Sequence, residues 1–236
     1  MNLLTIYKTM EESAKLCPNG ENIKFLFRHS IREKINKNAS NDEMQNARLI
    51  REGRKMAECL GESLDLDIGT VSSSPTQRCI DTCQEIINGF NQNHIEYSQI
   101  IHKSRTLQCP YIKKENDPEE QETWEKLGSE GIFDCFAKNI EMPGFFDLET
   151  SAKLMLKYMF NTGNKHNTLD LFCTHDLQLA MLLLFFAENK SECKNNLFSD
   201  NDSWPLMLEG MFLWGNENNY NVLWRGKLIK NSPSAH

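Results

Sequence analysis

Three short apolar or β-branched runs, at residues 23–27, 68–72 and 168–173, constrain the fold of this chain more than any other feature. Helical patterns separate one run from the next. Runs of this kind are typical of a parallel sheet that helices cover on both faces. The sequence therefore predicts an α/β fold, a three-layer α/β/α sandwich with a mainly parallel central sheet.

The length and charge of the chain limit its organisation and its partners. A chain of 236 residues is long enough to bury a sizeable core, and we expect a single domain over residues 1–236. The formal net charge of −7 argues against nucleic acid or an anionic membrane surface as a partner. The longest apolar run, residues 179–187, is too short to cross a bilayer and predicts a buried helix. The oligomeric state stays open.

The cysteines and the N-terminal segment indicate the compartment. Eight cysteines show no dense disulfide framework, so we expect reduced, structural thiols. The first ten residues lack the basic region, apolar stretch and small-residue cleavage site of a signal peptide. Both observations favour a cytoplasmic location.

Local patterns predict the helices and the remaining strands. Ser40 and Glu43 form a capping-box pattern, from which a helix should continue to about residue 60. A second helix should follow residues 75–78 to about residue 87, and a third should span residues 148–160. Further strands are predicted within residues 95–107, at 207–214 and at 220–229, the last two as a hairpin.

The segment at about 103–147 interrupts the alternation of strands and helices. It contains an acidic stretch that ends in a short predicted helix near Trp124. We interpret it as a small cap or insertion over the functional site. The alternative is a solvated loop and surface helix.

Polar side chains follow all three predicted strands at the point where each strand ends. In an open α/β sheet the ligand crevice lies outside the carboxyl ends of the strands, so groups far apart in sequence should meet there. The side chains expected to meet are Arg28, His29, Arg32, Arg78, His175 and Asp176.

These residue types suit phosphoryl chemistry. Arginine presents a fixed fork of donors that matches phosphoryl oxygens, and neutral imidazole offers a lone pair to phosphorus. His29, between Arg28 and Arg32, is therefore a candidate nucleophile. The alternative for this segment is a solvated basic turn, because an R-H-x-x-R match on its own also arises by chance.

Two carboxylates have alternative interpretations. Asp176 is a candidate proton donor and acceptor, and it could equally be the N-cap of the apolar helix that follows, or fill both roles. Glu209 is a charged residue inside an apolar strand, so it is either a substrate-pocket carboxylate or a residue on the solvated face. No H-x-H pair, carboxylate cluster or Walker-type loop predicts a metal or nucleotide cofactor.

As a set, these segments resemble the histidine phosphatase (phosphoglycerate mutase-like) superfamily, whose signatures are R-H-G-x-R, S-S-P-x-x-R and a late His. The chain has Arg28-His29-Ser30-Ile31-Arg32, Ser73-Ser74-Pro75-Thr76-Gln77-Arg78 and His175. The His175-Asp176 pair is similar to the acid phosphatase and phytase branch. Two positions depart from the family pattern, with Ser30 in place of Gly and Lys34 in place of the Pro of that branch.

The resemblance implies a phosphoglycerate mutase-like fold and a two-step phosphoryl transfer without a cofactor. His29 would form a phosphohistidine, and Arg28, Arg32, Arg78 and His175 would bind the phosphoryl oxygens. The implied function is a phosphomonoester hydrolase acting on a small or medium-sized phosphorylated compound.

Two alternatives to the hydrolase remain. A phosphomutase of the same superfamily is one, although that branch continues R-H-G with Glu or Gln where this chain has Ser30-Ile31. A non-catalytic phosphate- or phosphoprotein-binding module is the other, although such a module would not need a proton donor.

Overall fold

One mixed sheet forms the centre of the protein. The computed structural model describes residues 8–36, 39–93, 100–115, 117–163, 165–198 and 204–230. Within these ranges the strands are β1 (Asn22–Arg28), β2 (Asp67–Ser73), β3 (Ile101–Lys103), β4 (Thr168–Thr174), β5 (Gly210–Asn216), β6 (Asn219–Trp224) and β7 (Lys227–Lys230). Their order in the sheet is β3-β2-β4-β1-β5-β6-β7.

The direction of the strands divides the sheet into two parts. Strands β3, β2, β4 and β1 run parallel, whereas β5 pairs antiparallel with β1, β6 with β5 and β7 with β6. The parallel part confirms the predicted core of the sheet. All the candidate residues that follow β1, β2 and β4 therefore lie at one edge of the sheet.

Helices cover both faces of the sheet. They are α1 (Lys8–Leu16), α2 (Asn41–Asn46), α3 (Arg51–Glu62), α4 (Gln77–Asn93), α5 (Pro118–Lys138), α6 (Leu148–Phe160), α7 (Asp176–Phe186) and α8 (Lys190–Phe198), with a 3₁₀ turn at Arg105–Leu107. Phe25 and Leu171 pack in one core with residues of α3 and α4, and Leu26 and Phe172 pack in the other with α6 and α7. This alternation confirms the three-layer α/β/α arrangement.

The helix predicted after Ser40 is interrupted. The capping box is present, since Ser40 Oγ accepts from the Glu43 amide and the Glu43 carboxylate accepts from the Ser40 amide. However, the helix ends at Asn46, and Leu49 forms an antiparallel bridge with Arg32 before α3 begins. Pairing with residues 31–33 thus overrides the local helical pattern at residues 47–50.

Other element bounds also differ from the predictions. Helix α6 has its predicted limits, and α4 continues six residues beyond its predicted end at residue 87. The short helix expected near Trp124 is the long α5, kinked at Gly128. Part of the strand region predicted at 95–107 lies outside the described residues, and β3 is its described strand.

The predicted strand at 220–229 is instead a second hairpin. Strands β6 and β7 are joined at Arg225 and Gly226, whose φ angles of 48° and 73° reverse the chain. Left-handed backbone at two successive residues is the geometry of a tight hairpin turn. A continuous strand cannot pass through this conformation.

No helix within the described ranges is both long and apolar enough to span a bilayer. All eight cysteines lie within those ranges, and each is a free thiol.

Candidate active site

The parallel pairing of β1 and β4 brings two histidines together. Arg28 is the register partner of Thr174, and the His29 amide donates to the Thr174 carbonyl at 3.0 Å. The residues that follow the two strands, His29 and His175, are therefore neighbours, with ring centroids 5.4 Å apart. Both side chains are buried.

The hydrogen bonds of His29 define its tautomer. Its Nδ1 lies 2.7 Å from the carbonyl oxygen of Ser30, which can only accept, so Nδ1 carries the proton. The lone pair is on Nε2, to which Arg78 Nε donates at 3.1 Å. Burial lowers the pKa of His29 to about 3, and the nearby His175 and Arg78 act in the same direction. The imidazole is thus neutral across the physiological range.

Arg78, in the first turn of α4, links the two histidines. Its Nη2 donates to His175 Nδ1 at 3.2 Å, and its Nη1 donates to the Met44 carbonyl at 2.8 Å. Because guanidinium has no lone pair to offer, His175 Nδ1 must be the acceptor. The proton of His175 is then on Nε2, which donates to Ser74 Oγ at 2.9 Å.

An ion pair stands beside the histidines. Arg28 Nη2 lies 2.8 Å from Asp176 Oδ2, and Arg28 Nη1 donates to the Pro205 carbonyl at 2.7 Å. The other carboxylate oxygen, Oδ1, accepts from the Leu177 amide at 2.9 Å.

The N-cap interpretation of Asp176 is wrong. His175 is the N-cap of α7, and Asp176 is the first helical residue. An N-cap side chain accepts from an amide two or three residues ahead, whereas Asp176 reaches only the next residue. The position is still the positive end of the helix, which favours a carboxylate.

Opposing effects determine the protonation of Asp176. Burial raises the pKa of its carboxyl group, but the positive charge of Arg28 lowers it. A hydrogen bond from the Trp204 side chain lowers it further. On balance the pKa is below its ordinary value, and the carboxylate form prevails at neutral pH.

Arg32 lies at the margin of this cluster. Its Nη1 donates to the Glu33 carbonyl at 2.7 Å, and its backbone pairs with Leu49. Burial lowers the pKa of Arg32, and the positive charges of Arg78 and Arg28 lower it as well. The side chain therefore shares the same positive field, and among the described residues no hydrogen bond joins it to either histidine.

Glu209 matches neither alternative predicted for it. It is 4 % exposed, so it does not lie on a solvated face. Its two carboxylate oxygens accept from Nε and Nη2 of Arg225 at 2.7 and 2.8 Å. The Leu206 amide donates to the same group at 2.8 Å. The carboxylate is fully engaged by the protein and not available to a ligand.

Sequence reasoning missed three residues of the site. Ser74 was part of a recognised motif, but nothing in the sequence showed that it binds His175. Gln178, one turn into α7, is buried, and its Oε1 has no partner. Trp204 follows a polar connector that carries no motif.

The arrangement suits an anion. Three guanidinium groups, two histidines and the carboxylate of Asp176 lie together beyond the ends of β1 and β4. Within the described part of the chain, no group of three or more His, Cys, Asp or Glu side chains could hold a metal ion. The groups present can bind phosphoryl oxygens, supply a nitrogen nucleophile and exchange a proton.

Known families and solved structures include ones that are similar to this chain. The model of the histidine phosphatase superfamily (branch 1) matches residues 25–102, about a third of the chain, including Arg28, His29, Arg32 and Arg78. No curated protein sequence matches the chain.

Solved structures of low sequence identity share the fold. A phosphoglycerate mutase from Bacillus anthracis is 14% identical, with a TM-score of 0.52 over 92% of this chain and 96% of that one. A phosphoserine phosphatase mutant from Entamoeba histolytica is 11% identical, with a TM-score of 0.52 over 89% and 97%. A mycobacterial glucosyl-3-phosphoglycerate phosphatase is 11% identical, with a TM-score of 0.50 over 88% and 99%.

The family model thus covers the segment that holds His29 and the three arginines, and the solved structures show a phosphoglycerate mutase-like fold. The expected closeness to the acid phosphatase and phytase branch is not confirmed, because the matching family model is that of branch 1.

Proposed function

We propose that the protein is a phosphomonoester hydrolase that works through a phosphohistidine at His29. The observation that carries this proposal is the state of that imidazole. It is neutral, its proton is held on Nδ1 by the Ser30 carbonyl, and its Nε2 lone pair faces the guanidinium of Arg78. A buried histidine with a structural role alone does not need its lone pair directed at a guanidinium that can turn to a phosphoryl group.

In the first step the substrate phosphate takes Arg78 away from His29. Phosphoryl oxygens are stronger acceptors than a neutral imidazole, so the Arg78 donors turn to them and release Nε2. Nε2 then attacks phosphorus in line, the N–P bond forms and the bond from phosphorus to the ester oxygen breaks. Asp176, in its acid form, gives its proton to the leaving oxygen.

In the second step water takes the phosphoryl group from His29. The water oxygen attacks phosphorus while Asp176, now a carboxylate, accepts a proton from that water. The N–P bond breaks, its electron pair returns to Nε2 of His29, and inorganic phosphate leaves. Arg28, Arg32, Arg78 and His175 stabilise the oxygens throughout.

The substrate is a small or medium-sized phosphorylated compound. The relatives of similar fold include a phosphatase in complex with phosphoserine and another named for a sugar-linked phosphoglycerate, which supports this size range. We assign the choice among such compounds to the 103–147 segment. Its Gln108 carbonyl accepts from buried Gln178, and the Leu107 carbonyl accepts from Thr174, so the segment is joined directly to the site.

A phosphomutase is the second candidate, because one structure of the same fold is a phosphoglycerate mutase. A mutase would return the phosphoryl group to a bound acceptor, whereas a hydrolase passes it to water.

The proposal also includes a cytoplasmic location, which eight free thiols support.

Release of inorganic phosphate separates these functions. The purified protein should hydrolyse nitrophenyl phosphate, and then members of a panel of phosphorylated metabolites that includes phosphoserine and phosphoglycerates. In ¹⁸O-labelled water the released phosphate should carry one labelled oxygen. Phosphoryl exchange between phosphoglycerates without phosphate release would establish the mutase, and binding of phosphate with neither reaction would establish a binding module.

A further inference from the structure

A second ion pair, partly buried, stands next to the site without touching the histidines. Glu209 and Arg225 form a bidentate pair with separations of 2.7 and 2.8 Å. The Glu209 side chain is 5 % exposed and that of Arg225 is 27 % exposed. A partly buried pair of this kind contributes little net stability, because the loss of hydration offsets the attraction between the charges.

The pair holds residues 204–209, hereafter the 204–209 loop. Glu209 accepts from the Leu206 amide at 2.8 Å, and Arg225 Nη2 lies 3.4 Å from the Trp204 carbonyl that it faces. Within the loop, buried Leu208 has a φ of 63°, a left-handed conformation that is costly for a residue with a side chain. Such a conformation persists because the surrounding contacts enforce it.

The 204–209 loop in turn contacts both members of the Arg28–Asp176 pair. The Pro205 carbonyl accepts from Arg28 Nη1 at 2.7 Å. The indole N–H of Trp204, the sole donor of that side chain, hydrogen-bonds to Asp176. The Trp204 ring also packs edge-on against Phe133 of α5, with centroids 5.4 Å apart.

We infer that Glu209 and Arg225 are positioning residues that, through the 204–209 loop, aim Arg28 at the phosphoryl group and Asp176 at the leaving oxygen. The catalytic part of this inference rests on the proposed function. Neither residue touches the reacting atoms, so each acts through Trp204 and Pro205. Loss of the pair should loosen two contacts at once, the Pro205 carbonyl on Arg28 and the Trp204 indole on Asp176.

The experiment follows the indole N–H signal of Trp204 by two-dimensional NMR during a pH titration. The chain has four tryptophans, so Trp204→Phe identifies the signal and Asp176→Asn shows that Asp176 causes its titration. The variants are Glu209→Gln, which keeps the shape of the side chain, and Arg225→Lys, which keeps the charge but not the fork. Glu85→Gln is the matched control, because Glu85 of α4 also forms an ion pair with an arginine, Arg54 of α3. That pair lies outside the 204–209 loop.

We expect Glu209→Gln to raise the titration midpoint of Asp176, because its carboxylate loses the Trp204 indole as a donor. The same variant should lower kcat for alkyl phosphates about tenfold, with a smaller loss for nitrophenyl phosphate. Arg225→Lys should act in the same direction, and Glu85→Gln should do neither. If Glu209→Gln does not fold, the same two measurements on Arg225→Lys test the inference. The Arg225 side chain is partly exposed, so its replacement should disturb folding less. A midpoint unchanged in the folded variants, with only the melting temperature lowered, would overturn the inference. Measuring the titration midpoint requires no turnover, so it tests the positioning of Asp176 independently of activity. Absence of hydrolysis of any phosphate ester would instead defeat the proposed function.

Discussion

The Nε of Arg78 lies 3.1 Å from Nε2 of His29, so in the free protein the guanidinium occupies the lone pair with which His29 would attack phosphorus. The same guanidinium donates to His175 from Nη2. Phosphoryl oxygens are the natural competitors for these donors. In the proposed mechanism, binding of a phosphate ester would therefore both expose the nucleophile and place a positive charge on the transferring group.

We predict that His29 becomes covalently phosphorylated. Rapid quenching with ³²P-labelled substrate should trap an acid-labile, base-stable adduct, and peptide mapping should place it at His29. His29→Ala should lose turnover, because no other group supplies the nucleophile. An active His29→Ala enzyme would reject the assignment.

Replacement of Arg78 by lysine should be severe despite the retained charge. A single ammonium cannot bridge His29 and His175 and then bind two phosphoryl oxygens, so we expect kcat/KM to fall about a hundredfold or more. Arg48→Lys is the control, since Arg48 is an exposed arginine that pairs with Asp81. Equal activities of the two variants would show that Arg78 contributes only charge.

Asp176→Asn should separate substrates by their leaving groups. Asparagine keeps the contact with the Leu177 amide but cannot give up a proton. The variant should lose on the order of a hundredfold with alkyl phosphates and distinctly less with nitrophenyl phosphate, whose leaving group needs little protonation. Equal losses on the two substrates would count against a proton donor.

The pH profile provides a separate check on Asp176. Its pKa is lowered on balance, so the acid form is scarce at pH 7 and becomes more abundant as the pH falls. The first-step rate with an alkyl phosphate should therefore rise on going from pH 7 to pH 5, measured as the burst of alcohol released. A flat profile over this range in the wild-type protein, or an unchanged slope in Asp176→Asn, would contradict the role.

Activity should not depend on a metal ion, because guanidinium and imidazole groups supply the positive charge. EDTA should leave the rate unchanged, and vanadate should inhibit strongly because it adopts the five-coordinate geometry of the transferring group. Loss of activity on chelation, with recovery on adding a divalent ion, would reject a mechanism that relies on these groups alone.

Burial of neutral His29 should make the fold sensitive to acid. The pKa of His29 is lowered from 6.5 to about 3, so between these values the unfolded chain binds a proton that the folded protein excludes. Stability is then complete above pH 6.5 and falls as the pH decreases. At pH 5 the loss is about 2 kcal/mol relative to pH 7, and His29→Gln should lack it. Urea unfolding of both proteins at the two pH values measures the difference, and parallel losses would show that other groups are responsible.

The sequence was sufficient where a local pattern leads to one structure. Continuous apolar runs predicted β1, β2 and β4, and the polar residues after them predicted the edge at which the histidines meet. The capping box at Ser40 formed as expected. The helix after it ended early at Asn46, because pairing of residues 31–33 with residues 48–50 depends on contacts that no local window contains.

The roles of individual side chains depended on partners distant in sequence. The local sequence around Asp176 predicts an N-cap. Its pairing with Arg28, 148 positions earlier, instead requires β1 and β4 to be adjacent. In the sequence, Glu209 is a single charged residue in an apolar segment. Its structural role is the ion pair with Arg225, which lies beyond the next hairpin. A pattern cannot reveal such pairs, because each partner is ordinary in its own segment.

The sequence by itself therefore determined the layers, the parallel core and the set of groups available for phosphoryl chemistry, since periodicity and residue type are local properties. Only the tertiary structure decided which nitrogen of His29 bears the lone pair, what holds Asp176 and why residues 204–209 belong to the site. Those properties depend on contacts of about 3 Å, and several of these contacts join segments that are distant in sequence, as Arg28 and Pro205 are, so close packing of the folded chain alone establishes them.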